Sequence, residues 1–355
     1  MREARARRGA LGHGDLRGRP RQTAVLADRV LRRQAGIPRI PCERATQADT
    51  TGTQPLRMTH PTMATGEWTK AGLAGVASPN EMAAHIVDGG SPLDLVEPPD
   101  WFSFSSFDSY ARCPRQYAFR YLCHLPADQP RPAVEFGTAA HGAFETFTRE
   151  RRVRLIQGKP APSRAELGRF FDDAWSKTAL AVQTDAETWR HRASPMLDSF
   201  WEAESADPAQ TLGEELRFRL HFVDVDKAFT VTGYIDRVDR LLSGCVEVID
   251  YKSGAATFQG AAESNLQLSI YALACRDALG LGRPELVTLY SVQPVRRSSS
   301  VRSDASLDTL RADLVALVRR IRGGEFTPTP SGHACGWCDF KAMCPASVRP
   351  ASASS

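Results

Sequence analysis

Asp250 and Lys252 sit two positions apart in V-I-D-Y-K-S-G (248–254), and Asp236 lies just upstream in G-Y-I-D-R-V-D (233–239). On a strand alternate residues share a face, so Asp250 and Lys252 point one way and Tyr251 the other. Ser243-Gly244 is a two-residue turn signal between the two segments, and it brings Asp236 roughly opposite Asp250. Two carboxylates and an ammonium then converge. Hard oxygen donors of this kind hold magnesium or manganese. Such a cation activates water and neutralises a scissile phosphate, while a neighbouring lysine stabilises the developing negative charge. The plain alternative is a surface hairpin with an ordinary Asp–Lys ion pair. The setting argues against it: V-E-V-I-D is apolar enough for a core strand, and it delivers its charged pair where burial should end.

Further groups lie at chemically useful spacings. His141 and Glu145 are four apart, on one helical face, and so are Gln267 and Tyr271. Each pair is otherwise an ordinary helix flank. The chain has eight cysteines, which with no secretory signal argues for metal or catalysis before disulfides. Cys335, Cys338 and Cys344 form a dense soft-ligand group one thiolate short of a four-cysteine site. Thiolates suit an iron–sulfur cluster or tetrahedral zinc equally. Cys42, Cys123, Cys245 and Cys275 fall outside that pattern, and Cys245 and Cys275 read as small core residues. Arg112, Arg115 and Arg120 interleave with Tyr110, Tyr117 and Tyr121. They read either as phosphate and base contacts to a single strand or as a solvated helix face backed by a core stripe.

These groups need elements to position them. Ser105 followed by Asp108 resembles a helix cap, with Phe104, Phe107, Tyr110 and Ala111 at helical spacing after it; Pro114 starts a second short helix behind Cys113. Helices are predicted around 141–149, around Leu167–Trp175 and around Met196–Trp201. The period then changes to two at Leu216, Phe218, Leu220 and Phe222, with further strands over about 229–241 and 245–252. A helix over 262–279, a strand over 285–293 and an amphipathic helix through Leu307, Leu310, Leu314, Leu317 and Ile321 complete the order.

At 355 residues and 42% hydrophobic, the chain suits one large domain or two modest ones. Residues 1–44 carry twelve arginines against four acids, so the net +4 conceals a basic tail of +8 on a body of −4. That tail reads as a disordered leader or as a phosphate-binding arm. Residues 1–98 and 347–355 are expected to be disordered, leaving 99–346 as the folded domain. No apolar run is long enough to span a bilayer, so no membrane partner is expected and the cytoplasm is the default compartment. No phosphate-binding loop of the G-x-x-x-x-G-K-[ST] type occurs.

His141, G-x-I-D-R-x-D, D-Y-K-S-G and Q-x-x-x-Y occur in one order, and together they resemble the successive motifs of the RecB-family exonuclease branch of the PD-(D/E)XK nucleases. The likeness covers about residues 101–345. It implies an α/β (α+β) restriction-endonuclease-like core, a mixed central sheet flanked by helices. It further implies His141, Asp236, Asp250 and the Tyr251 carbonyl as ligands of Mg2+ or Mn2+. Lys252 is then the catalytic lysine, with Gln267, Tyr271 and Glu145 in support and Arg112 and Arg115 on the nucleic-acid path. AddB-type domains of this branch place one cysteine before the core and three after it. On that likeness Cys113 joins Cys335, Cys338 and Cys344 around a [4Fe–4S] cluster, with zinc as the alternative. The implied activity is hydrolysis of DNA, from single-stranded ends, in repair or recombination, with a helicase as possible partner. A CRISPR-adaptation nuclease that trims spacers and a non-catalytic DNA-binding subunit are the competing readings.

Overall fold

The structure is a computed structural model that describes residues 78–126, 132–181, 186–207, 209–224, 227–252, 261–292 and 295–348. Helix α1 (Pro79–Val87) comes first. Ser78 caps it, accepting from the Glu81 amide while the Glu81 carboxylate takes the Ser78 amide, and Pro79 occupies a first-turn position that needs no amide partner. Met82, Ala83 and Ile86 sink into the core. This corrects the expectation of disorder as far as residue 98. The S-P-N-E cap is present in the sequence, but nine residues are too few for their apolar spacing to stand out. Residues 1–77 of the expected N-terminal tail, including the Arg-rich segment and Cys42, and most of the C-terminal tail lie outside the described residues.

A short strand β1 (Trp101–Phe102) leads into α2 (Phe104–Arg112). The cap is Ser103, not Ser105: Ser103 and Ser106 hydroxyls exchange hydrogen bonds with each other's amides, and the Asp108 carboxylate is instead taken by Arg112 one turn on. Short α3 (Pro114–Tyr117) and a π-helical turn (Ala118–Leu122) follow, then the long helices α4 (Pro132–Ile156), α5 (Arg164–Trp175) and α6 (Ala186–Ala206).

Strands β2 (Gln210–Phe222), β3 (Phe229–Arg240) and β4 (Val246–Lys252) come next, then α7 (Leu266–Asp277), β5 (Leu286–Val292), β6 (Val295–Ser300), α8 (Asp304–Arg322) and α9 (Gly332–Gly336). The six strands make one mixed sheet. One edge of β3 takes β2 antiparallel along its whole length; β3 also pairs antiparallel with β4 near its end and parallel with β1 near its start. β4 runs parallel to β5, which pairs antiparallel with β6. The sequence reading missed β6, because V-R-R-S-S-S shows no apolar alternation and owes its strand form to the β5 edge.

Two cores cover the two faces. Val248, Val231 and Phe218 pack with α1, α2, α7 and α8, while Ile249, Tyr251 and Tyr290 pack with α4, α5 and α6. Gly244, at φ +87°, closes the β3–β4 turn as the sequence indicates. Gly233 has a packing reason: a Cβ there would lie 2.9 Å from the Phe218 ring. Among the described residues no helix is long and apolar enough to cross a membrane.

Candidate active site

Pairing between β3 and β4 ends at Arg237 opposite Ile249, yet β4 runs on to Lys252 beside β5. The strands splay just where Asp236 and Asp250 face each other. In the gap the Asp236 carboxylate accepts the Tyr251 amide at 2.9 Å, replacing the lost ladder bond. Lys252 Nζ lies 2.5 Å from Asp250 Oδ2 and donates to Gln267 Oε1 at 3.1 Å. Gln267 Nε2 in turn donates to the Tyr271 hydroxyl at 2.7 Å. Asn265 starts α7 by capping the Leu268 amide, and that start aims Gln267 and Tyr271 back at β4. From the opposite layer α4 brings His141 Nδ1 to 3.4 Å from Asp236 Oδ2, and the imidazole lies close to the Tyr251 backbone. Glu145, one turn along α4, is held by Arg149 at 2.6 Å and is close enough for Asp236 to feel its charge. His141, Glu145, Asp236, Asp250, Tyr251, Lys252, Gln267 and Tyr271 thus gather at one spot.

Burial dominates the electrostatics. It pushes the Asp250 carboxyl well above the ordinary range, against the pull of Lys252 and with help from Asp236. It raises Asp236 too, against the Tyr251 amide and Lys252. Burial lowers His141, so its imidazole is neutral at pH 7 and keeps a free lone pair. Asp250 is 1% exposed, and its Oδ2 meets Lys252 as an ion pair without hydrogen-bond geometry, which leaves a buried anionic oxygen undersatisfied. Two buried carboxylates, a neutral imidazole and that oxygen fit a divalent cation, whose charge relieves the crowding. Among the described residues no three His, Cys, Asp or Glu side chains already stand at metal-holding distances.

Glu215 belongs to this group and the sequence reading missed it. Its φ is +48°, uncommon for a residue with a side chain, and it stands on β2 between the pairs Glu214–Arg237 and Leu216–Ile235, level with Asp236. Partial desolvation first, then Asp236, Glu145 and Asp250, push its carboxyl up to about 7 although the residue is exposed. The available signal is G-E-E at 213–215: Glu214 falls in phase with the inward Leu216, a charge where the alternation calls for an apolar residue.

The thiols form a second centre. Cys113 at the α2–α3 junction and Cys335, Cys338 and Cys344 from the chain's last segment line one cavity of about 20 Å3. Burial raises the Cys338 thiol, and Cys113 and Cys344 raise it further, which places the three within electrostatic reach of one another. The donor set fits a four-thiolate group. Cys123 and Cys275 are buried core residues, and Cys245 is buried as well.

The arginine–tyrosine stripe reads differently in three dimensions. Tyr110 and Tyr117 are buried, Tyr110 edge-on to Phe326 and Tyr117 stacked on it, so they cannot hold bases. Arg112 pairs with Asp108, Arg120 pairs with Asp339, and Arg115 lines the thiol cavity. Tyr110 and Tyr117 thus form a core stripe, while Arg112, Arg115, Arg120 and Tyr121 stay partly exposed.

With this arrangement in view, comparison with known proteins places the chain in a class: it belongs to the PD-(D/E)XK nuclease superfamily, whose family model matches residues 101–345. It is similar to an ATP-dependent helicase/deoxyribonuclease subunit from Streptococcus uberis, at 32% identity over 133 residues, 36% of this chain and 11% of that protein. The corresponding protein from Streptococcus mutans is 27% identical over 130 residues, 37% of this chain and 10% of that protein. The matched region is therefore about a tenth of the length of these curated relatives. A solved structure from Eubacterium rectale whose name assigns it as an exonuclease aligns over 71% of this chain and 91% of its own, at 13% identity and a TM-score of 0.34.

Proposed function

We propose that the chain is a divalent-metal-dependent DNA nuclease that attacks single-stranded ends in repair or recombination. The observation that carries this reading is the meeting of His141, Asp236, Asp250 and Lys252 at the splayed end of β3 and β4, each from the expected position. His141, Asp236, Asp250 and the Tyr251 carbonyl hold the cation, Mg2+ or Mn2+. When bound, the cation supplies Lewis acidity toward water and the scissile phosphate. Lys252 presents an ammonium to the developing negative charge, and Gln267, backed by Tyr271, sets where that ammonium sits. DNA as substrate and a helicase as partner are supported by the similarity to the two streptococcal helicase/deoxyribonuclease proteins.

The same reading gives the four cysteines a [4Fe–4S] cluster, with zinc as the alternative occupant, and residues 99–346 as the nuclease domain with α1 packed onto it. The cluster's role is structural, joining the α2–α3 junction to the end of the chain.

The test is turnover. The full chain with Mg2+ or Mn2+ is expected to degrade labelled single-stranded DNA. Lys252→Ala should lower the rate about 10²-fold or more while binding of the same DNA persists. Equal inactivity of wild type and variant across linear, circular, single- and double-stranded substrates would contradict the proposal.

A further inference from the structure

Behind the candidate site lies a charged layer that the chemistry above does not use. Arg237 is fully buried. Its Nη1 donates to Glu204 Oε2 at 2.5 Å and its Nε to Asp239 Oδ1 at 2.7 Å. The same Nη1 lies 3.1 Å from the Tyr251 hydroxyl and donates to it. Thr148, on α4 two turns beyond His141, lies near that hydroxyl, and its own hydroxyl donates to the Phe144 carbonyl at 2.7 Å. As a phenol the Tyr251 hydroxyl accepts from Arg237 and keeps one proton of its own to donate. The ring between is clamped by Phe144, Phe200 and Tyr290, with centroids 5.4, 5.9 and 5.6 Å away.

Tyr251 is thus held at its far end by two elements while its peptide faces the site. Its amide donates to Asp236, its backbone lies close to the His141 imidazole, and its neighbours in the chain are Asp250 and Lys252. The His141 ring stands edge-on to the Tyr251 ring at 6.1 Å. A shift of this one side chain therefore displaces donors from α4, β3 and β4 together.

We infer that Tyr251, through its hydroxyl, which is bonded to Arg237 and lies beside Thr148, is a positioning residue that sets the donor geometry of His141, Asp236 and its own carbonyl for the divalent cation. The inference rests on the metal-site reading above and extends it to side chains that touch neither cation nor substrate. Groups that orient metal ligands from outside the coordination shell typically change affinity about 10- to 100-fold when removed.

The experiment titrates Mn2+ into the full chain without nucleic acid, by calorimetry and by the electron-spin signal of free Mn2+. Tyr251→Phe keeps the ring and removes one oxygen; it is expected to weaken Mn2+ binding about 10-fold with the circular dichroism unchanged. Its nuclease rate should recover at high Mn2+ with the KM for DNA unaltered, a signature that mere loss of stability does not produce. Thr148→Val, which removes the neighbouring hydroxyl at equal volume, should weaken binding in the same direction and serves if Tyr251→Phe does not fold. Asp250→Asn is the control and should abolish binding. If Asp250→Asn abolishes binding while Tyr251→Phe and Thr148→Val stay within twofold of wild type, the positioning role is overturned and the metal site stands. If the wild-type chain does not bind Mn2+, or Asp250→Asn binds it normally, the metal-site reading fails and this inference with it.

Discussion

Asp250 is carried into the interior on a strand whose first six residues are all buried, and it stays there with one oxygen short of hydrogen-bond donors. Folding without a cation therefore leaves Asp236, Asp250 and Glu215 with carboxyls raised mainly by desolvation. The linkage sign follows: raised carboxyls bind more protons folded than unfolded, so their contribution to stability is present at low pH and is lost as pH rises through the folded values. A divalent cation competes with those protons. Thermal shift should hence show a larger Mn2+-induced rise in melting temperature at pH 8 than at pH 5.5, and a rise independent of pH would contradict it. Asp250 and Lys252 were legible in the sequence because strand parity is a two-residue rule. The partners of Arg237 were not, since no spacing rule links it to Glu204 thirty-three residues upstream. Arg237→Met strands the buried Glu204 and Asp239 carboxylates, and chemical denaturation should report a loss of about 3–5 kcal/mol.

At the scale of the element, the site depends on β3 and β4 parting after Arg237 and on β2 lying tight against β3. Gly233 permits the second contact. Gly233→Ala forces a methyl toward the Phe218 ring, and a denaturant melt is expected to show about 1–3 kcal/mol of destabilisation; no change would mean that Phe218 moves aside freely. The long periodic segments, α4 to α8 and β2 to β5, could be read from apolar spacing alone. Those that escaped, α1, β1 and β6, are short or polar and owe their form to a cap or to a neighbouring strand edge. Glu215 escaped for a related reason: its backbone conformation belongs to an irregular position, which period-two alternation cannot represent.

For the whole molecule, the thiol cavity marks where the start and end of the domain meet. Protein contacts already join them there. Tyr110 donates to the Glu325 carbonyl at 2.7 Å, Thr329 donates to the Arg112 carbonyl at 3.1 Å, and Arg120 pairs with Asp339. A cluster held by Cys113, Cys335, Cys338 and Cys344, as proposed, would add to this seam without creating it. Anaerobically purified protein should contain iron and sulfide. Cys338→Ala should lose both and melt several degrees lower while remaining folded, with each 1 kcal/mol reading as roughly 2–4 °C. Zinc without sulfide would instead assign the alternative occupant. The three C-terminal thiols were legible as a group from their spacing, whereas Cys113 joined them only by family likeness, because nothing local relates residues over two hundred positions apart.

The central claim is that groups from α4, β3 and β4 share one divalent cation. Anomalous scattering from crystals soaked in Mn2+ tests it directly. A single strong peak about 2.1 Å from the His141 imidazole, the Asp236 and Asp250 carboxylates and the Tyr251 carbonyl is the predicted result. Manganese bound elsewhere, with these donors unligated and Lys252 still paired to Asp250, is the result that would contradict it.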